Sequence, residues 1–134
     1  MAIISVTRLR LRSAWYLPKF LWFAIPSQRQ ARNAPGNLGA EVFNDAKLAF
    51  WTKSAWQDEA SMRAFILAGT HRKAMAALQD MCDESATVHW GQESAELPAW
   101  LEGHTRLLEN GRFTKMKHPS ANQTAGKIPP PRGQ

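Results

Sequence analysis

Polar and apolar positions alternate cleanly near the start of the chain. Thr7, Leu9 and Leu11 fall on one side of an extended backbone, and Arg8, Arg10 and Arg12 on the other. With Ile3, Ile4 and Val6 before them, they predict a β-strand, because branched side chains suit a pleated surface. The period then changes. Leu17, Phe20, Leu21, Ala24 and Ile25 follow helical spacing, and Pro18 suits a first helical turn. Pro26 is expected to kink or restart this helix, which runs on to the stop at Pro35–Asn37. Trp15, Trp22 and Phe23 lie off the stripe, so the helix is apolar nearly all round.

Leu38–Asp45 and Lys47–Trp56 read as two further strands, with a tight turn at Asn44-Asp45. Asp58 suits the N-cap of a helix whose face is Met62, Phe65, Ile66 and Gly69. Gly69 ends it, and Thr70 caps another helix with its stripe at His71, Met75, Leu78, Met81 and Cys82. Ser85–Gln92 reads as a fourth strand and Leu97–Leu108 as a last short helix. After Gly111 the pattern dissolves into Pro, Gly, Ser, Asn and Lys. The expected organisation is therefore a domain over 1–110 and a basic, disordered tail over 111–134. The order β-α-β-β-α-α-β predicts an α+β, ferredoxin-like antiparallel sheet with helices on one face.

Trp51 and Trp56 are five apart and so point to opposite faces of their strand. Phe50, Thr52 and Ser54 accompany Trp56, while Lys53 and Ala55 accompany Trp51. Helices on one face would leave the other bare. A bare face bearing tryptophan predicts a second subunit, because large exposed apolar patches are uncommon on monomers.

At 134 residues and 44% apolar content, the chain can bury one real core. Its single cysteine, Cys82, excludes an internal disulfide and fits a reducing, cytoplasmic setting. The net charge of +6 is unevenly placed. Residues 1–40 carry six basic groups and no acid, the middle holds all eleven acids, and residues 112–134 carry five basic groups and no acid. The apolar run Ala14–Ile25 is shorter than the roughly 20 residues a bilayer span needs, so no transmembrane segment is expected. It also lacks the small residues that precede signal cleavage. Arg8, Arg10 and Arg12 have no interleaved aromatics for base stacking, so no specific nucleic-acid partner is expected.

The run FWTKSAWQDEASMRAFILAGTHRKAM, followed by VHW, resembles the second half of a dimeric α+β barrel domain. That superfamily contains antibiotic-biosynthesis monooxygenases, heme-degrading monooxygenases and spheroidene monooxygenase. The pieces are a strand, a W-x-D/E helix entry, an F…G-x-H-R helix junction and a strand ending in His-Trp. The chain is most similar to the poorly characterised, spheroidene monooxygenase-like branch, over roughly Ala2 to Leu108. The resemblance implies a homodimer whose two sheets close a barrel. It also implies monooxygenase-like activity on an apolar aromatic or polyene molecule. The alternative is a non-catalytic dimeric module that binds such a ligand.

His71 follows the predicted cap Thr70, and a helix N-terminus disfavours the imidazolium. A neutral imidazole there could act as a general base, or it could simply bond a nearby carbonyl. In a cofactor-free oxygenase, His71 would take a proton, the substrate carbanion would give an electron to dioxygen, and Arg72 or Trp51 would orient the oxyanion. Heme held by a histidine in the same pocket is the alternative that the resemblance implies. Trp22, Phe23, Trp51, Trp56 and Trp90 are expected to surround a pocket between the first helix and the sheet, with a packed core as the plain alternative. His89 is expected at the dimer face, and His104 as a half-buried packing residue. No metal-ligand spacing, P-loop, G-x-G-x-x-G or G-x-S-x-G motif is present. Asp80, Asp83 and Glu84 read as a solvated run at a helix end.

Overall fold

A computed structural model of the chain describes residues 1–45, 48–69 and 72–132, with residues 70 and 71 described in backbone only. The elements are β1 (Ala2–Leu11), α1 (Leu17–Asn33), β2 (Asn37–Asp45), β3 (Ala49–Trp56), α2 (Glu59–Leu67), α3 (Gly69–Met81), β4 (Cys82–Gln92), α4 (Trp100–Asn110), β5 (Arg112–Phe113) and α5 (Ala121–Ala125). All strands pair antiparallel in the order β2-β3-β1-β4-β5. This is the ferredoxin-like α+β arrangement with one short strand added at its β4 edge.

Local chemistry sets the boundaries. Asp58 accepts the Ser61 backbone N–H at 2.7 Å and so starts α2, as its position before the helical stripe predicts. Gly36 has φ +86°, and a Cβ there would lie 2.3 Å from Ser61 Oγ, so the turn from α1 into β2 needs glycine. Helix α1 runs unbroken through Pro26. Asn44 and Asp45 pair with Phe50 and Ala49 as strand residues, so the turn expected at Asn44-Asp45 does not fall on them.

Both faces of the sheet are covered within one chain. Ile4, Val6, Trp51, Ala55, Ala86 and Val88 form a cluster with Leu107 of α4 and Ile128. Helix α4 lies so close that a Cβ on Gly103 would come within 3.1 Å of Val6 Cγ1. His104 Nε2 donates to the Ile128 carbonyl at 2.7 Å, and its ring meets Trp51 edge-on at 6.1 Å. Lys53 Nζ donates to the Pro98 carbonyl at 2.7 Å and sits over the Trp100 ring. Trp51 is fully buried as a result. The face expected to be bare, and to need a second subunit against it, is thus occupied by the chain's own α4 and C-terminal segment. A sheet-to-sheet barrel through that face would have to displace them.

On the opposite face, α1, α2 and α3 lie over Leu9, Phe50 and Trp56. Trp56 stacks on Phe65 at 5.2 Å and donates its Nε1–H to Ser54 Oγ at 2.9 Å. At one end, Leu9, Leu11, Phe20, Phe50, Met81, Cys82 and Met116 form a second cluster.

The stretch expected to be a disordered tail is packed over residues 112–132. β5 pairs with β4, Met116 and Ile128 are buried, and the Gln123 side chain bonds the backbone of Ser85 and Thr114. Prolines and polar residues suggest disorder by composition, but here a few apolar anchors and backbone bonds hold the segment to the sheet. Trypsin is therefore expected to spare the bonds after Arg112, Lys115, Lys117 and Lys127 in the folded protein. Rapid loss of a C-terminal fragment under native conditions would contradict this packing.

The charge run also differs from its expected place. Helix α3 ends at Met81, so Asp83 and Glu84 belong to β4 and face the arginines of β1. Arg8 and Glu84 pair at 2.7 Å with both side chains buried, and Arg10 pairs with Asp83 at 2.7 Å. Arg12 Nε donates to the Asp80 carbonyl at 2.7 Å. Burial pushes the Glu84 carboxyl up, but hydrogen bonds from Arg8 and Ser120 outweigh it and hold the group below the usual range. A depressed folded-state pKa gives stability that is present above the usual glutamate range and lost as pH falls through the folded value. Asp83, raised mainly by burial, opposes that trend. Glu84→Ala leaves a buried guanidinium uncompensated and is expected to cost about 3 kcal/mol or more in urea unfolding at neutral pH. A cost below about 1 kcal/mol, the range of a surface ion pair, would contradict the buried pairing.

Candidate active site

A cavity of about 510 Å³ lies between the helix-covered face of the sheet and helices α1, α2 and α3. Its floor is polar. Ser54, Ser5 and His89 stand side by side across β3, β1 and β4, and Thr52, Thr7 and Thr87 form the next row. These residues share a face because strand neighbours two apart point the same way. Thr7 and Thr87 hydroxyls lie 3.0 Å apart, and Thr87 Oγ1 donates to the Val6 carbonyl at 3.3 Å. The roof is apolar, with Phe20, Phe23 and Ala24 from α1, Met62 and Phe65 from α2, and Ala74 and Leu78 from α3. Two polar groups interrupt it. Ser27 and Gln28 are among the lining residues, and their Oγ and Nε2 atoms are buried without a hydrogen-bond partner among the described residues. Buried donors of this kind call for a polar atom from a ligand or water.

The residues expected to form the site are divided by the fold. Phe23 and Trp56 line the cavity. Trp51 and Trp90 are on the opposite face, where Trp90 donates to Gln92 Oε1 and lies under the Arg106 guanidinium. Trp22 is 79% exposed on the outer side of α1. Arg72 is exposed and does not line the cavity. The side chain of His71 lies outside the described residues. His89, expected at a dimer face, is on the cavity floor instead. Its alternation with Trp90 is as expected, and α1–α3 lie on the His89 side of the sheet, but the His89 side chain stays exposed at the cavity's edge. His104 is the half-buried packing residue expected, bound to Ile128.

The hydroxyl rows escape a reading that searches for core and catalytic types. Their signal is present in the strands, where Ser5, Thr7, Thr52, Ser54 and Thr87 occupy the face that the helices cover. A helix-covered face made of hydroxyls, where valine or leucine would pack better, marks a wet or ligand-filled space.

Other chemistry is thin. Among the described residues no group of three His, Cys, Asp or Glu side chains could hold a metal ion. A second cavity of about 370 Å³, on the far side of the sheet, is lined by Arg8, Arg10, Asp45, Glu84 and Arg132. Much of that charge is spent internally, since Glu84 takes Arg8, and Asp45 accepts from Trp51 Nε1 and the Arg132 backbone. Burial pushes the Cys82 thiol up to about 12, which keeps it out of nucleophilic work. An aromatic disulfide reagent is therefore expected to modify Cys82 only as fast as the protein unfolds. Stoichiometric labelling of native protein within minutes would contradict its burial.

No family model matches the chain, and no curated protein matches it closely in sequence. Its fold is similar to SnoaB, a cofactor-independent oxygenase from Streptomyces nogalater, with a TM-score of 0.57 at 13% identity over 69% of this chain and 94% of SnoaB. A conserved protein from Methanosarcina mazei Go1 aligns with a TM-score of 0.61 at 14% identity over 69% of this chain and 94% of that one. A protein from Deinococcus radiodurans, named as a candidate antibiotic biosynthesis monooxygenase, aligns with a TM-score of 0.62 at 18% identity over 70% and 95%. The likeness is one of fold, shared with structures named as antibiotic biosynthesis monooxygenases. These neighbours are covered almost end to end, whereas close to a third of this chain lies outside the match. That is roughly the size of the segment following β4.

Proposed function

We propose that the cavity between the sheet and α1–α3 binds an oxygen-bearing polycyclic aromatic or polyene molecule and that the chain oxygenates it without a metal or organic cofactor. The observation that carries this reading is the cavity's two-sided lining, with hydroxyls below and aromatic and aliphatic side chains above. Such a lining fits a flat ligand that turns an apolar face to the helices and its oxygens to the strands. The likeness of fold to a cofactor-independent oxygenase supports the choice of reaction.

The proposed chemistry needs a base near the substrate. His89, exposed at the cavity's edge opposite Ser5 in register, is the base proposed, and His71 is the second imidazole to test. Loss of a proton from an activated CH₂ makes a carbanion that can give an electron to dioxygen. Recombination leaves one oxygen atom on carbon as a carbonyl, while the other leaves as water with the two hydrogens of the CH₂. Ser27 Oγ and Gln28 Nε2 are the donors proposed to meet the developing oxyanion, a role that unpartnered buried donors suit. Heme does not fit this lining. An apolar macrocycle over Ser5, Thr7, Thr52, Ser54 and Thr87 would dry a polar floor without bonding it.

The second reading is a binding module without turnover, since one fold hosts many functions. Purified protein titrated with hydroxylated naphthalene and anthracene derivatives, followed by Trp fluorescence and an oxygen electrode, separates the two. The proposal expects ligand-dependent oxygen uptake, and His89→Ala is expected to lower kcat by roughly a hundredfold or more while ligand binding persists. Thr7→Val with Thr87→Val is expected to weaken binding roughly fivefold. Saturable binding with no oxygen uptake across the panel would favour the binding module. A Soret band in the purified protein would contradict the cofactor-free reading.

A further inference from the structure

Helix α1 presents an outward face that contains only apolar, basic and small polar side chains. Trp15, in the single 3-10 turn before α1, is 85% exposed, and Trp22 is 79% exposed. Trp15, Lys19, Trp22, Pro26 and Arg29 fall at helical spacing along one exposed stripe, flanked by the exposed Leu21 and Ile25. The first acid in the chain is Glu41, so no carboxylate from this helix dilutes its charge. Large exposed tryptophans beside lysine and arginine are costly in water alone and mark a surface that meets something else.

We infer that this face docks on the surface of an anionic lipid bilayer. Tryptophan rings settle at the headgroup level, isoleucine and leucine reach the acyl boundary, and lysine and arginine extend along the surface to lipid phosphates. The charge pattern decides against a second copy of the chain. A two-fold contact through this stripe would bring Lys19 and Arg29 toward their own equivalents, with no acid on the face to neutralise them. Among the described residues no helix is long and apolar enough to cross a membrane, so the contact is peripheral. The face is also continuous with the cavity. Leu21, Ile25 and Met75 are exposed and line it at the same time, so an apolar ligand could pass from the lipid into the cavity without crossing water. The docking itself does not depend on what the cavity does.

The test is co-sedimentation of the full chain with vesicles of phosphatidylcholine, pure or mixed with phosphatidylglycerol. Binding is expected with the mixed vesicles at low salt, with little on pure phosphatidylcholine, and is expected to fall as salt shortens the Debye length. Lys19→Gln with Arg29→Gln is expected to reduce partitioning roughly thirtyfold. Trp15→Ser with Trp22→Ser is expected to reduce it at least about tenfold. Both pairs are exposed, so circular dichroism and the melting temperature should not change and a folding defect is separated from lost docking. No pelleting at low salt, or equal pelleting of wild type and both variants, would overturn the inference. So would a lipid-free dimer, seen by sedimentation velocity, that the tryptophan variant loses.

Discussion

Strand β3, between β2 and β1, carries a tryptophan on each of its faces, and neither ring can be left in water. Trp51 and Trp56 are both fully buried, which requires cover on both sides of the sheet. The chain meets this requirement with unequal means. Helices α1, α2 and α3 roof the Trp56 side, while α4 and the segment through Ile128 seal the Trp51 side. The seal is tight enough that Gly103 packs on Val6 and His104 ties the segment to the helix. The roof is looser and leaves the hydroxyl-floored cavity. Close packing around Trp51 gives the sheet rigidity, and the other face is thereby free to hold a ligand.

That division also bears on charge. Arg8 and Arg10 of β1, with Arg12 just after it, form a stripe that looks basic in isolation, yet Glu84, Asp83 and Asp80 meet it residue by residue. Among the described residues, positive charge without an acidic partner is on α1, at Arg72 and Lys73 of α3, and in the C-terminal segment. An account of partners must therefore start from the outer face of α1, where tryptophan and lysine are exposed together.

Element order and sheet architecture were legible because strand alternation, the Asp58 cap and the stop at Pro35–Asn37 agree along the first 92 residues, and the fold-level resemblance pointed the same way. What escaped was which side each element covers. The stripe of Leu97–Leu108 marks an amphipathic helix, but nothing local says that it crosses to the face opposite α1. Asp83 and Glu84 looked solvated because the helix before them was read as running on past Met81. The C-terminal segment looked disordered because composition weighs proline and glycine, whereas Met116 and Ile128 are single anchors that carry no period. For the candidate site, Phe23 and Trp56 were legible as aromatic lining. Trp51 and Trp90 were misplaced by face, and the serine and threonine rows were overlooked because each residue alone is unremarkable in a strand.

The central claim is that the Trp51 face is covered by the same chain that bears it. Isotope-filtered NMR on a mixture of labelled and unlabelled protein tests this directly. Contacts from the Trp51 indole and Val6 methyl groups to Gly103, His104 and Ile128 should appear within labelled molecules and be absent from the between-molecule spectrum. Between-molecule contacts joining Val6 or Trp51 to the same face of a second sheet would contradict the account.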